Sequence, residues 1–102
     1  MSLSRDLTDA IAADARLYML KELAAQSDGR LNVILLQRLL EKRYGINRSR
    51  EWIETQLRKL AELDTIALLD SAVTIAQITR VGRDHLAGRS IVAGITRPHE
   101  VE

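Results

Sequence analysis

Between Tyr44 and Gly88 the chain passes through helical patterns, a very short apolar hairpin and a further helix with almost no spare residues. Connections this short force elements that follow one another in sequence to pack on one another in space. Ser49 is placed to cap a helix, because its hydroxyl can accept from an otherwise unpaired amide in the first turn. Behind it Ile53, Leu57 and Leu60 recur at helical spacing, with Trp52 and Leu63 at one margin of the apolar stripe. Glu51, Thr55, Arg58 and Glu62 point the other way. Ile66 to Asp70 and Val73 to Ile78 are β-prone runs separated by Ser71-Ala72, which predicts a hairpin with a minimal tip. Thr79 can then cap a last helix that runs through Val81, His85 and Leu86 to a stop at Gly88.

Upstream, Ala10, Ala13, Leu17, Leu20 and Ala24 predict a helix from about Leu7 to Gln26 that ends in the turn cluster Ser27-Asp28-Gly29. Arg30 and Leu31 read as a brief extended link. Asn32 is a cap for a second helix that turns Val33, Leu36, Leu39 and Leu40 inward and leaves Arg38, Lys42 and Arg43 outside. Tyr44-Gly45 closes it, and only Gly45 to Arg48 separates it from the next helix.

This order predicts a mainly α chain with a small β-hairpin. Its fold class is a winged helix-turn-helix: a three-helix core, a short two-stranded wing and a C-terminal helix or tail. Residues 1–88 form the domain and 89–102 a C-terminal tail or arm. The helix from Arg50 to Leu63 then occupies the recognition position, and the candidate nucleic-acid contacts are Arg43, Arg48, Ser49, Arg50, Thr55 and Arg58. Arginine suits phosphate as a charged donor and guanine as a bidentate one. Charge agrees in part: residues 30–50 carry six basic and one acidic side chain, while the chain as a whole has a net charge of +1. A local basic patch attracts phosphate. The same residues also read as ordinary solvated surface, with Glu54 and Arg58 spaced for an i,i+4 pair and Glu51 set to repel phosphate.

The Ser49-x-x-x-Ile53-x-x-x-Leu57-x-x-Leu60 spacing, then Ile66, the hairpin and Ile78-Thr79-x-x-Gly82, resembles the DNA-binding half of ArsR-, MarR- and PadR-like regulators. That resemblance implies a helix in the major groove. The C-terminal stretch Gly88-Arg89-Ser90-Ile91-Val92-Ala93-Gly94-Ile95-Thr96-Arg97-Pro98 resembles the Gly-Arg-x-x-Val-x-Gly-x-x-Arg-Pro tail of small proteins of Mu-like transposable phages and prophages. Those proteins have a similar length and an Arg-Leu-x-x-Leu helix, here Arg16 to Leu20. Membership would imply an accessory protein with a winged-helix body.

Other chemistry finds little support. The chain has no Cys and two His, His85 and His99, which offers no metal-sensing cluster. No glycine-rich phosphate loop or nucleophile motif is present, so the expectation is no enzyme, no cofactor and no small-molecule substrate. His85 reads as structural surface. No apolar run approaches the roughly 18 residues that span a bilayer, and the absence of Cys suits a reducing compartment, so the expected setting is the bacterial host cytoplasm, without membrane contact. Trp52 reads as core rim before it reads as a base-stacking platform, and Tyr18 and Tyr44 as packing with wet hydroxyls. The hairpin tip lacks Arg or Lys, which predicts a weak wing contact. Ile91, Val92 and Ile95 fit no helix pattern and need cover. They either dock on the chain's own first helix or cover a second subunit, and a homodimer is expected because paired recognition helices fit palindromic sites. The competing expectation for the whole chain is an adaptor that binds protein and no DNA.

Overall fold

A computed structural model describes residues 3–69 and 71–100. The chain is mainly helical with a small three-stranded antiparallel sheet. In order it forms α1 (Leu3–Ala24), β1 (Arg30–Asn32), α2 (Val33–Tyr44), α3 (Arg50–Glu62), β2 (Ile66–Leu69), β3 (Ile75–Ile78), α4 (Arg80–Leu86) and a 3-10 turn over Pro98–Glu100. Among the described residues no helix is long and apolar enough to cross a membrane.

The helix at the centre is α1, which packs against α2, α3, α4, β1 and β3. Being covered from several sides, it buries far more than one stripe. Leu17 and Leu20 are interior as expected, but Ala10 is exposed and Ala13 only half-buried, while Ala12, Ala15, Met19 and Leu23 join the core. Leu36 and Leu40 of α2, Ile53, Leu57 and Leu60 of α3 and Ala76 and Ile78 of β3 pack with it, together with Leu31, Val33 and Ile66.

Three side-chain caps sit where the sequence places them. Asn32 accepts from the Leu35 amide, Ser49 from Trp52 and Thr79 from Gly82. At the other end of α2, Gly45 takes the left-handed conformation (φ 68°), so that the Ile46 amide reaches back to the Leu40 carbonyl at 3.0 Å. Asp64 does the same work after α3 with φ 61°, and the Thr65 amide bonds the Leu60 carbonyl at 3.1 Å. A short polar side chain tolerates that conformation better than most non-glycine residues.

The expected two-stranded wing is corrected to a sheet of three strands, ordered β1-β3-β2. Arg30 and Leu31 are not a mere link: Arg30 pairs with Gln77, Leu31 with Ala76 and Asn32 with Ile75. On the other edge Ile66 pairs with Ile78 and Leu69 with Ile75. The minimal tip is also corrected. The strands stop at Leu69 and resume at Ile75, so Val73 belongs to the connection; Asp70, assigned to the first strand of the hairpin, lies outside the described residues.

Beyond α4 the tail turns back onto the body. Ile95 is 5 % exposed and packs in the core cluster, and Val92 lies against it. The Thr96 hydroxyl donates to Asp14 at 2.6 Å, and Arg16 donates to the Gly94 carbonyl. Of the two covers expected for the tail, the chain's own first helix provides it. Ile91 is the exception and stays 41 % exposed.

Candidate nucleic-acid interface

The candidate surface is carried by α3 and the turn before it. Gly45 ends α2, Ile46 packs against the core, and Gln37 on α2 donates to the Arg48 carbonyl at 2.9 Å. The turn is thereby tied to α2 at both ends. Ser49 then starts α3, and its Oγ is occupied by the Trp52 amide at 3.1 Å.

Below the surface α3 is held by Ile53, Leu57 and Leu60, all fully buried, and by one polar clamp. Gln56 sits on the apolar side, 4 % exposed, and accepts from Arg16 Nε at 2.9 Å. The same guanidinium reaches the Gly94 carbonyl, so Arg16 joins α1, α3 and the tail. Burial lowers the pKa of Arg16, opposed by the negative charge of Asp9. Its range remains so far above neutrality that the side chain stays a cation.

Above, the face of α3 is open. Arg50, Glu51, Arg58, Lys59 and Glu62 are exposed, and Glu54 and Thr55 half-buried. The Thr55 hydroxyl donates to the Glu51 carbonyl at 2.9 Å and accepts from Arg58 at 3.2 Å. Arg58 therefore leans toward Thr55, and the expected pairing with Glu54 is replaced by a local bond three residues back. Arg48 lies over the Trp52 ring, 5.3 Å from its centroid, which orders a cation at the mouth of the turn. Trp52 is half-buried at the core margin. A depression of about 370 Å³ beside the turn is lined by Ile11 and Gly45 to Arg48.

Five of the six candidate residues, Arg48, Ser49, Arg50, Thr55 and Arg58, thus belong to one helix and its entry. Arg43 is engaged elsewhere. It lies on the last turn of α2 and pairs with Glu22 of α1 at 3.5 Å, its own side chain mostly exposed and that of Glu22 nearly enclosed. Glu22 also accepts from the Tyr44 hydroxyl at 2.7 Å, so that hydroxyl is bonded to a carboxylate and not simply wetted. Tyr44 stacks on Tyr18 with ring centroids 4.0 Å apart. Burial first, then the hydrogen bond to Glu22, pushes the Tyr44 phenol up to about 12. Burial and nearby Asp14 also raise Tyr18.

Sequence reasoning missed Gln56, Arg16 and Gln37 as the parts that hold the surface in place. A polar residue one position before Leu57, on the apolar side of α3, was the available signal for Gln56. His85 requires a correction as well. Expected at the surface, it is fully buried and both ring nitrogens bond the tail.

On chemistry, the open face offers cations and hydroxyls interleaved with the carboxylates of Glu51, Glu54 and Glu62. Among the described residues no group of three or more His, Asp or Glu is placed to hold a metal ion. Comparison with family profiles, curated proteins and solved structures finds no match for the chain.

Proposed function

We propose that this is a winged helix-turn-helix protein that binds duplex DNA through α3, as a transcriptional regulator or architectural factor of a transposable phage or prophage. The observation that carries the reading is the outward face of α3, left open along Arg50, Glu51, Arg58 and Glu62 while the opposite face is clamped to the body. The order of α2, turn, α3 and the β2–β3 pair supports it, since a groove-reading helix needs a rigid support on one side and free space on the other. Arg48 and Arg50 at the helix entry and Arg58 one turn beyond Glu54 are the proposed phosphate and base-edge contacts. Ser49 is committed to its cap and serves by fixing the helix start, and Arg43, held by Glu22, contributes from the flank.

Binding to phosphates releases counterions, so the affinity for duplex falls steeply as salt rises. The test is a duplex selection from a random pool, followed by titrations at two salt concentrations. Enrichment of a site with salt-sensitive binding is expected. Exchange of Arg50 and Arg58 for Glu should abolish binding and leave the melting temperature nearly unchanged, because both side chains are exposed and the one bond lost, from Arg58 to the Thr55 hydroxyl, is solvated. Equal affinity in that variant sinks the assignment. The carboxylates on the same face favour one alternative, an adaptor surface for a protein partner; an unenriched pool with no salt-sensitive binding selects it.

A further inference from the structure

His85 is the one fully buried histidine, and its surroundings are unusual in that both ring nitrogens are spent on the backbone of a single distant segment. The Val92 amide donates to Nδ1 at 3.0 Å, which makes Nδ1 an acceptor without a proton. The remaining proton is on Nε2, 3.0 Å from the Thr96 carbonyl, to which it donates. The ring is thus fixed in one neutral tautomer by two groups four residues apart. The same segment is otherwise held by the Thr96 amide on the Ala13 carbonyl at 3.4 Å, by the Thr96 hydroxyl on Asp14, by Arg16 on Gly94 and by the buried Ile95.

A second proton on this ring has to go to Nδ1, where it would face the Val92 N–H, donor against donor. It would also create a buried cation. The charged side chains nearest the ring along the segments that hold it are Arg83 and Asp84 beside it on α4, Asp14 and Arg16 where α1 bonds the tail, and Arg89 and Arg97 on either side of Val92 to Thr96. Asp84 is paired with Arg89 at 2.9 Å and Asp14 is taken by Thr96. Among the described residues no carboxylate is bonded to the ring, so an imidazolium would have no counter-charge in contact. The clash of donors at Nδ1 and the buried charge both arise only while the tail is closed, hence acid favours the open form.

We propose that Val92 to Thr96 forms a strap latched by neutral His85 and released when that ring is protonated, with the body of the protein still folded. Release also removes one of the two anchors of Arg16, the other being Gln56 under α3. The device operates whether or not α3 binds DNA.

Amide exchange followed by NMR on the full chain tests it, because protection reports local opening. After correction for intrinsic exchange, protection at Val92 and Thr96 should fall by about tenfold or more between about pH 7.5 and about pH 5, with Leu20 in α1 unaffected. The fall should follow the same titration curve as the His85 ring resonances. His99→Gln, which removes the exposed histidine, should behave as the wild type. So should Asp14→Asn, which keeps an acceptor for Thr96 but cannot titrate. His85→Gln should show no acid step. Protection that ignores pH, that is lost together with Leu20, or that is lost equally in His85→Gln overturns the proposal, as does loss of the step in Asp14→Asn. If His85→Gln fails to fold, the coincidence of ring and amide titrations in His99→Gln decides: matching curves uphold the latch and separate curves reject it.

Discussion

Glu22 is 4 % exposed, and what makes a buried carboxyl group tolerable there is the pair of donors it meets, Tyr44 at 2.7 Å and Arg43 at 3.5 Å. A buried carboxylate that loses a donor is left with its desolvation cost. Tyr44→Phe should therefore lose about 1–2 kcal/mol in urea unfolding, more than an exposed tyrosine would. The pH dependence follows from the raised phenol. An unfolded tyrosine ionises near about 10, and Tyr44 in the fold at about 12. Stability from the neutral hydroxyl is then complete below about pH 10 and is lost as the pH climbs through about 12. Comparison of urea midpoints at about pH 9 and about pH 11 should show a smaller drop in Tyr44→Phe than in the wild type. Gly82 gives a second local test. A Cβ there would sit 2.5 Å from the Thr65 carbonyl oxygen and 2.8 Å from Ile78 Cγ1. Alanine gains about 1 kcal/mol of helix propensity, but the backbone oxygen cannot yield as a flexible side chain would. Gly82→Ala should be destabilising by about 1–3 kcal/mol, read by thermal unfolding.

Helix starts were legible in the sequence because a cap is a local device: Asn32, Ser49 and Thr79 each bond an amide three residues on. The inward faces of α2 and α3 were legible for the same reason, each having one covered side. β1 was not. Three residues carry no period, Asn32 doubles as a helix cap, and the partner strand lies more than forty residues away. The α1 stripe was drawn too narrow because apolar residues on a helix covered from several sides do not form a single stripe. For the candidate interface, the outward side chains could be listed from the sequence, but Arg58 bonding Thr55 and Arg43 bonding Glu22 depend on rotamers and on a neighbouring helix. Of the caps, Thr79 carries the heaviest duty. It accepts from Gly82 and also donates to the Asp64 carbonyl at 2.6 Å, the residue that ends the α3 segment in a left-handed conformation. Thr79→Ala should cost about 1–2 kcal/mol and Ser49→Ala about 1 kcal/mol, with Thr79→Ser recovering most of the loss. Equal costs for the two alanines would mean that the Asp64 bond adds nothing.

The tail decides how the chain closes on itself. Residues beyond Gly88 fill one side of α1, satisfy both nitrogens of His85 and give Arg16 its second anchor, while the Arg89–Asp84 pair, with Arg89 66 % exposed, adds little. Ending the chain after Gly88 would strip a buried isoleucine from the core and leave the imidazole and Asp14 without their partners. Burial of one isoleucine is worth about 2–3 kcal/mol, and water entering the vacated site would restore part of the lost hydrogen bonding. A net loss of about 2–4 kcal/mol is expected, which in a domain of this size lowers the melting temperature by on the order of 10 °C or more. Because these contacts are made within one chain, the mass by light scattering should be the same for the full and the shortened protein. A halved mass would instead mean that the strap reaches a second copy in solution, and the homodimer expected from the sequence for paired α3 helices would then be built on the tail. An unchanged mass with a lowered melting point assigns any such dimer to another surface, and among the described residues Leu7, 61 % exposed, is the large hydrophobic side chain left most open for one.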